Sequence, residues 1–151
     1  MPVPQYRIFF DTSVYIAALL SAEGAARELV SLVEGGAIRM VVSEEVVVEV
    51  DRVLSRKFPE HIQKNRKLWK YLKPEITPNP TLDQAKSFSQ KLAKGDASIL
   101  CSAHLAKVSA FTTWNTRDFM HPDVSALVAF PIVVPADGLK LFRKFIEPFL
   151  D

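Results

Sequence analysis

The stretch that decides the fold is Arg7-Ile8-Phe9-Phe10-Asp11-Thr12-Ser13. Its first four residues are mostly apolar and predict a short buried β-strand, which a carboxylate and two hydroxyl residues follow. In open α/β sheets, ligands bind just outside the carboxyl ends of the strands. Asp11 therefore stands where an active-site group is expected, and we expect the rest of the chain to bring other functional groups to it.

Length and composition are those of an ordinary soluble protein. The chain has 151 residues, which suits one domain over residues 1–151. The formal net charge of +2 neither requires nor excludes a nucleic-acid partner. A single cysteine excludes an intrachain disulfide and favours a reducing compartment. Because no stretch predicts a signal peptide or a membrane span, we expect a cytoplasmic location and no membrane partner.

Apolar runs that predict strands alternate with segments of helical periodicity. Strands are expected at 7–10, 38–42, 110–114 and 131–134, with a short extended piece at 75–77. Helices are expected at 13–20, 25–33, 81–94 and 138–149, and also after Ser43, Pro59 and Gly95. This alternation predicts a three-layer α/β/α fold with a central, mostly parallel sheet. Right-handed crossovers then bring the carboxyl ends of the strands to one edge.

Three further acidic residues stand at or shortly after the start of a predicted helix: Glu49, Asp96 and Asp118. Together with Asp11 they would form four carboxylates at one edge of the sheet, and these could not all remain ionised without a counter-charge. A hard divalent cation provides that charge, and Mg²⁺ or Mn²⁺ suits carboxylate ligands. A metal site of this kind activates water and stabilises in-line attack on phosphorus.

Each acidic residue also has a purely structural explanation. Asp11 and Asp96 could be helix N-caps, although Ser13 could take that role in the first helix. Glu49 could lie on a solvated helix flank, where it would pair with a nearby arginine. Asp118 could complete a capping box. The functional prediction therefore depends on the four residues as a set.

Four segments, 10–13, 43–49, 95–100 and 113–119, together resemble the PIN-domain nucleases, which include the toxins of VapBC toxin–antitoxin pairs. In order they carry an Asp after a hydrophobic strand, a Glu in a helix, an Asp opening a later helix and an Asp in a T-x-N-x-x-D-F segment. The resemblance covers nearly the whole chain and implies a ribonuclease that depends on Mg²⁺ or Mn²⁺ and is often a homodimer. It implies an acidic quartet with substrate-contacting polar residues beside it: Asp11, Glu49, Asp96 and Asp118, with Ser13, Thr113 and Asn115.

The expected substrate is single-stranded RNA, whose phosphates a basic segment at 57–73 would contact. As a toxin of this kind, the protein would also bind an antitoxin protein. Trp114 and Phe119 flank the last motif and are expected to anchor it in the core. One alternative is a PIN-like module that binds RNA or protein without cutting. Another is a phosphotransfer enzyme with Asp11 as nucleophile, but Ser13 stands where such enzymes carry a second Asp.

Overall fold

The computed structural model of the protein describes residues 3–150. Five strands form one sheet in the order β3-β2-β1-β4-β5, and their bounds are β1 Tyr6–Phe10, β2 Ile38–Ser43, β3 Glu75–Thr77, β4 Ala110–Thr112 and β5 Ile132–Val133. Every pairing between neighbouring strands is parallel. The prediction of a mostly parallel sheet is therefore confirmed.

Helices cover both faces of this sheet. They are α1 Thr12–Leu20, α2 Ala25–Glu34, α3 Glu44–Lys57, α4 Ile62–Leu72, α5 Lys86–Ser89, α6 Lys94–Ala106, α7 Thr116–Phe119, α8 Pro122–Ser125 and α9 Pro135–Ile146. Successive side chains of a strand point to opposite faces. Ile8, Phe9 and Phe10 of β1 are nevertheless all fully buried, so neither face is open to solvent. The three-layer prediction is confirmed, and no helix within residues 3–150 is long and apolar enough to cross a membrane.

The valine-rich segment after β2 is helical, as its length and spacing predict. The Ser43 side chain accepts a hydrogen bond from the Val46 N–H at 3.3 Å and so caps α3. Val46, Val50 and Leu54 are buried at helical spacing along its inner side. This cap fixes where α3 begins, directly after the carboxyl end of β2.

The segment between β3 and α6 differs most from the sequence prediction. One helix is predicted over 81–94, but the structure has only the single turn of α5 there, followed at Lys94 by the start of α6. Ala85, Phe88 and Leu92 are buried at spacings of three and four residues, which produced the helical pattern. A single helical turn is enough to bury these three side chains, so the chain turns instead of extending a helix.

Two N-cap predictions are wrong. Gly95 does not end a helix but lies in the first turn of α6, so Asp96 is inside that helix and is not its cap. Ser13 is likewise inside α1, and Asp11 holds the N-cap position, although its side chain makes no capping hydrogen bond. Asp96 is therefore not a cap, and Asp11 occupies the N-cap position without using its carboxylate as a cap, so capping does not explain why either position carries a carboxylate.

Candidate active site

The strand order reverses between β1 and β4. The chain proceeds from β1 to β2 and β3 on one side and then crosses back to β4 and β5 on the other. Open α/β sheets bind ligands at such a switch point, outside the carboxyl ends of the strands. Asp11 directly follows β1 and Thr113 directly follows β4, so both residues lie at this point.

Asp11 is the buried centre of the site. The Thr113 hydroxyl donates to Asp11 Oδ2 at 2.7 Å, and the Ser13 hydroxyl lies 3.4 Å from the same oxygen. Only 6% of Asp11 is exposed. The pKa of Asp11 is raised to about 6, mainly by burial and to a smaller extent by the charges of Glu49 and Asp96. Hydrogen bonds from the Thr113 hydroxyl and the Thr12 backbone oppose this rise. The carboxylate is thus oriented by hydroxyl groups in a place where its negative charge is costly.

Glu49 reaches the site from α3. The Thr12 hydroxyl donates to Glu49 Oε2 at 2.8 Å, and Thr12 directly follows Asp11 in the chain. Within residues 3–150, Glu49 forms no ion pair with Arg52 or Arg56, so the expected alternative of a paired helix flank is not found. The sequence prediction missed Thr12, although it is one of the two hydroxyl residues that follow Asp11.

Asp96 approaches through the first turn of α6. A Cβ atom placed on Gly95 would lie 3.8 Å from Glu49 Oε1 and 3.9 Å from Glu45 Oε1, so this turn packs against the first turns of α3. Burial raises the pKa of Asp96, and the charges of Asp118 and Glu49 raise it further. Glu45 is an additional acidic neighbour that the sequence prediction did not single out.

Asp118 is tied to the site through Asn115. The Asn115 side chain accepts from the Asp118 N–H at 3.3 Å, so Asn115 is an N-cap, and it donates to Asp118 Oδ2 at 3.0 Å. The reciprocal half of a capping box is not formed, because Asp118 accepts from the side chain of Asn115 and not from its backbone N–H. The Asn115 N–H in turn donates to the Thr113 hydroxyl at 2.9 Å. A chain of hydrogen bonds therefore runs from Asp118 through Asn115 and Thr113 to Asp11.

The two aromatic residues of the last motif behave differently. Phe119 is fully buried, with its ring centroid 5.1 Å from that of Phe111, so its predicted role as a core anchor is confirmed. The same prediction for Trp114 is wrong, because 47% of this residue is exposed. The backbone N–H of Trp114 donates to the Ser13 hydroxyl at 3.1 Å. This hydrogen bond holds the backbone, while the side chain points away from the core.

The four carboxylates have the donor atoms that a divalent cation requires, but they are too far apart in the structure to bind one together. Their oxygens, and the hydroxyls beside them, are the hard ligands that Mg²⁺ and Mn²⁺ prefer. In the described part of the chain none of the four forms an ion pair with a basic residue. However, no three His, Cys, Asp or Glu side chains among residues 3–150 are close enough together to hold a metal ion. The carboxylates are nevertheless close enough to repel one another, since, in addition to burial, their charges raise the pKa of Asp11 and Asp96.

Helix α4 carries the basic segment along the side of α1. The Tyr15 hydroxyl donates to Asn65 Oδ1 at 2.5 Å, and the rings of Tyr15 and Trp69 lie 5.0 Å apart. Lys64 Nζ donates to the Leu19 carbonyl at the end of α1, so this lysine has a structural role. The other basic side chains of α4 are exposed: Arg66, Lys67 and Lys70.

Comparisons with known proteins agree with this architecture. The family model described as the PIN domain matches residues 7–117. No curated protein matches the chain in sequence. A chain of the VapBC2 structure from Rickettsia felis, bound to a DNA fragment from their promoter, superposes with a TM-score of 0.62 at 13% identity over 84% of this chain and 98% of that one. PAE2754 from Pyrobaculum aerophilum superposes with a TM-score of 0.57 at 16% identity over 95% of this chain and 99% of that one. At such identities the likeness concerns the fold.

Proposed function

From the premise that the chain belongs to the PIN-domain family, we propose that it is a metal-dependent endoribonuclease that cleaves single-stranded RNA. The observation that carries this proposal is the site at the switch point of the sheet. There, in addition to burial, the charges of Glu49 and Asp96 raise the pKa of Asp11, and the charge of Asp118 in turn adds to the burial that raises the pKa of Asp96. None of these acids has a basic partner within residues 3–150. Such a group of charges favours a cation more than any other ligand.

We propose that Mg²⁺ or Mn²⁺ is held by Asp11, Glu49, Asp96 and Asp118. A cation there would supply positive charge at the scissile phosphate and lower the pKa of a coordinated water. Binding requires the carboxylates to move closer together than they are in the structure. Asp118 is exposed, and Glu49 and Asp96 are partly exposed, so these side chains have room to adjust around the buried Asp11.

The polar residues of the site have two tasks in this proposal. Thr113 and Asn115 orient Asp11 and Asp118 through the hydrogen bonds described above, and Thr12 orients Glu49. Ser13 and Asn115, which are partly exposed beside the carboxylates, would in addition contact the substrate. Thr113, the third residue expected to do so, is fully buried and donates its hydroxyl proton to Asp11, so a substrate contact by Thr113 is not proposed. A hydroxyl or amide group can donate to a phosphate oxygen that the carboxylates themselves would repel.

The basic face of α4 would bind the RNA backbone away from the cleavage site. Arg66, Lys67 and Lys70 are exposed, and α4 packs along α1, the helix that begins beside Asp11. Contacts of this kind release counterions and therefore weaken as salt increases. The acidic site would thus cleave the RNA, and the basic face of α4 would bind it.

Cleavage of a labelled single-stranded RNA tests the proposal. The wild type is assayed with Mg²⁺, with Mn²⁺ and with a chelator, beside Asp11→Asn and the matched control Asp51→Asn, which changes an exposed carboxylate on α3. We expect cleavage that requires metal, survives Asp51→Asn and is lost in Asp11→Asn. Cleavage that persists in Asp11→Asn or in the chelator would overturn the proposed metal site.

We further propose that this nuclease is the toxin of a type II toxin–antitoxin pair and works as a homodimer. The Rickettsia felis structure that shares the fold is a VapBC2 complex bound to a DNA fragment from their promoter. A small upstream reading frame for a DNA-binding protein with a flexible tail would support an antitoxin partner, and co-expression should then give a stable complex. Light scattering of the purified protein tests the homodimer, and a mass of 16.9 kDa would exclude it.

The second candidate is a PIN-like module that binds RNA or a protein without cutting. One observation favours it, namely that no three acidic side chains within residues 3–150 converge as metal ligands. Tight RNA binding without cleavage in either metal would select this alternative. Binding of Mn²⁺ in calorimetry that disappears in Asp11→Asn would instead support the nuclease.

A further inference from the structure

Trp114 is an exposed aromatic residue that lies within the last motif of the candidate site. Whereas Trp69 packs against Tyr15, the ring of Trp114 is neither part of the described hydrophobic core nor among the side chains that pack on it. Single exposed apolar residues are common on protein surfaces, so exposure alone assigns no role. The surroundings of Trp114 are what distinguish it.

Trp114 stands between two residues that bind the acidic quartet. Thr113 donates to Asp11, and Asn115 donates to Asp118. Consecutive Cα atoms are about 3.8 Å apart, so the ring begins within one residue of groups that touch two of the four carboxylates. A nucleotide whose phosphate lies at the quartet would therefore have its own base, or the base of its neighbour, close to the Trp114 ring.

Two hydrogen bonds hold the backbone at Trp114. The Trp114 N–H donates to the Ser13 hydroxyl, and the next N–H in the chain donates to the Thr113 hydroxyl. The ring is therefore attached to a backbone that is held in place, and 47% of the residue is exposed to solvent. Because the backbone that carries the ring is already held in place, less backbone conformational entropy is lost when a ligand packs on the ring.

We infer that Trp114 is a stacking residue for one base of the RNA whose phosphodiester lies at the acidic quartet, an inference that rests on the proposed nuclease function. Proteins that bind single strands stack successive bases on aromatic side chains, largely without sequence preference. The exposed Arg117, three residues further along the chain, adds a positive charge that would attract the phosphates of the strand. Trp114 would thus align the strand and leave the chemistry to the carboxylates.

The experiment compares two ligands with four proteins. The ligands are a single-stranded RNA 10-mer and a 10-mer of the same backbone that carries abasic spacers in place of its bases. The proteins are Trp69→Phe, which leaves Trp114 as the only tryptophan of the two in the chain, and this variant with Trp114 changed to Phe, Leu or Ala. Binding is measured by fluorescence anisotropy of a labelled ligand, and the emission of Trp114 is followed in Trp69→Phe.

Stacking predicts that the RNA quenches Trp114 emission and that the abasic strand does not. Alanine at position 114 should weaken RNA binding about 5- to 150-fold, which is the range of about 1–3 kcal/mol per stacked base. It should leave binding of the abasic strand unchanged. Phenylalanine should restore most of the RNA affinity, whereas leucine, which is apolar but has no π face, should not. In cleavage assays the loss should appear mainly in KM.

The possible outcomes separate the stacking inference from the nuclease proposal, and three of them would overturn stacking. RNA cleavage with wild-type KM in the alanine variant would reject stacking and keep the nuclease. Quenching by RNA without cleavage would keep stacking and reject the nuclease. Equal loss of affinity for both ligands would assign Trp114 a structural role, which thermal unfolding of the variants would also reveal. Trp114 emission that changes with protein concentration, and not with RNA, would assign the ring to a contact between protein chains.

Discussion

Replacing Asp11 with Asn tests the electrostatics of the site without requiring any substrate. Asn has nearly the same shape as Asp, and its side-chain oxygen can still accept the hydrogen bond from Thr113. It cannot ionise, so the energetic cost of a buried negative charge is removed. In the absence of metal we therefore expect Asp11→Asn to be more stable than the wild type at neutral and alkaline pH.

The size of this effect follows from the pKa of Asp11. Burial, with smaller contributions from Glu49 and Asp96, raises this pKa from 3.8 to about 6. At about 1.4 kcal/mol per pH unit the difference is of the order of 3 kcal/mol. The folded protein binds this proton more tightly than the unfolded chain, so the Asp11 contribution to stability is present at low pH and is lost as pH rises from about 4 through about 6. The gain in Asp11→Asn should accordingly be full at pH 8 and absent at pH 4.

Thermal and urea unfolding in the presence of a chelator measure this difference. In a domain of this size, 3 kcal/mol corresponds to a rise in Tm of about 6–12 °C at pH 8. The exposed control Asp51→Asn should stay within about 0.5 kcal/mol of the wild type at both pH values. Addition of Mn²⁺ should stabilise the wild type by mass action and leave Asp11→Asn nearly unchanged.

Two results would refute this reasoning. Parallel pH profiles for wild type and Asp11→Asn would mean that Asp11 titrates normally and is not destabilised by burial. An equal gain in Asp51→Asn would mean that the effect comes from the overall charge of the protein and not from the site.

Three further predictions follow from the same geometry. Asp96→Asn should raise the Tm of the metal-free protein, because repulsion from Asp118 and Glu49 is relieved, and should lower the cleavage rate by orders of magnitude; a mutant that cleaves at the wild-type rate would exclude Asp96 as a ligand. Thr113→Val should lower the free energy of unfolding by about 1–3 kcal/mol, because buried Asp11 loses its donor, whereas Thr113→Ser should lose much less in the same unfolding assay. Raising the salt concentration from about 50 to about 200 mM should weaken RNA binding steeply, with a smaller slope of log affinity against log salt when Lys67 is changed to Gln; an unchanged slope would remove α4 from the RNA surface.

The parts of the fold that depend on local patterns could be predicted from the sequence. Apolar strands alternate with periodic helices, and the Ser43 cap with its buried valines is a local signal, so β2 and the start of α3 were predicted nearly to the residue. Carboxylates after a strand or early in a helix are also visible in the sequence. The order of these residues in the chain was enough to predict the acidic quartet, and whether the four act together stays a prediction.

The features that could not be predicted depend on contacts between distant parts of the chain. Ser13 is a good N-cap residue by its local preference, but its hydroxyl accepts from the Trp114 N–H, 101 residues away in the chain. Trp114 is hydrophobic enough to predict burial, and only the surrounding elements decide that it stays exposed. The bond from Thr12 to Glu49 likewise joins two elements that no local pattern relates.

The hydrogen bonds of the site are compatible with the cation proposed for it. Thr12 donates to Glu49, and Thr113 donates to Asp11, so each of two neighbouring strand ends supplies a neutral hydroxyl to a carboxylate of another element. A lysine or arginine in the place of either threonine would also orient its carboxylate, but it would cancel the negative charge that attracts the metal. Hydroxyl donors fix the geometry and leave that charge in place. The instability that the charge causes in the metal-free protein is therefore a direct consequence of how the proposed site would bind its cation.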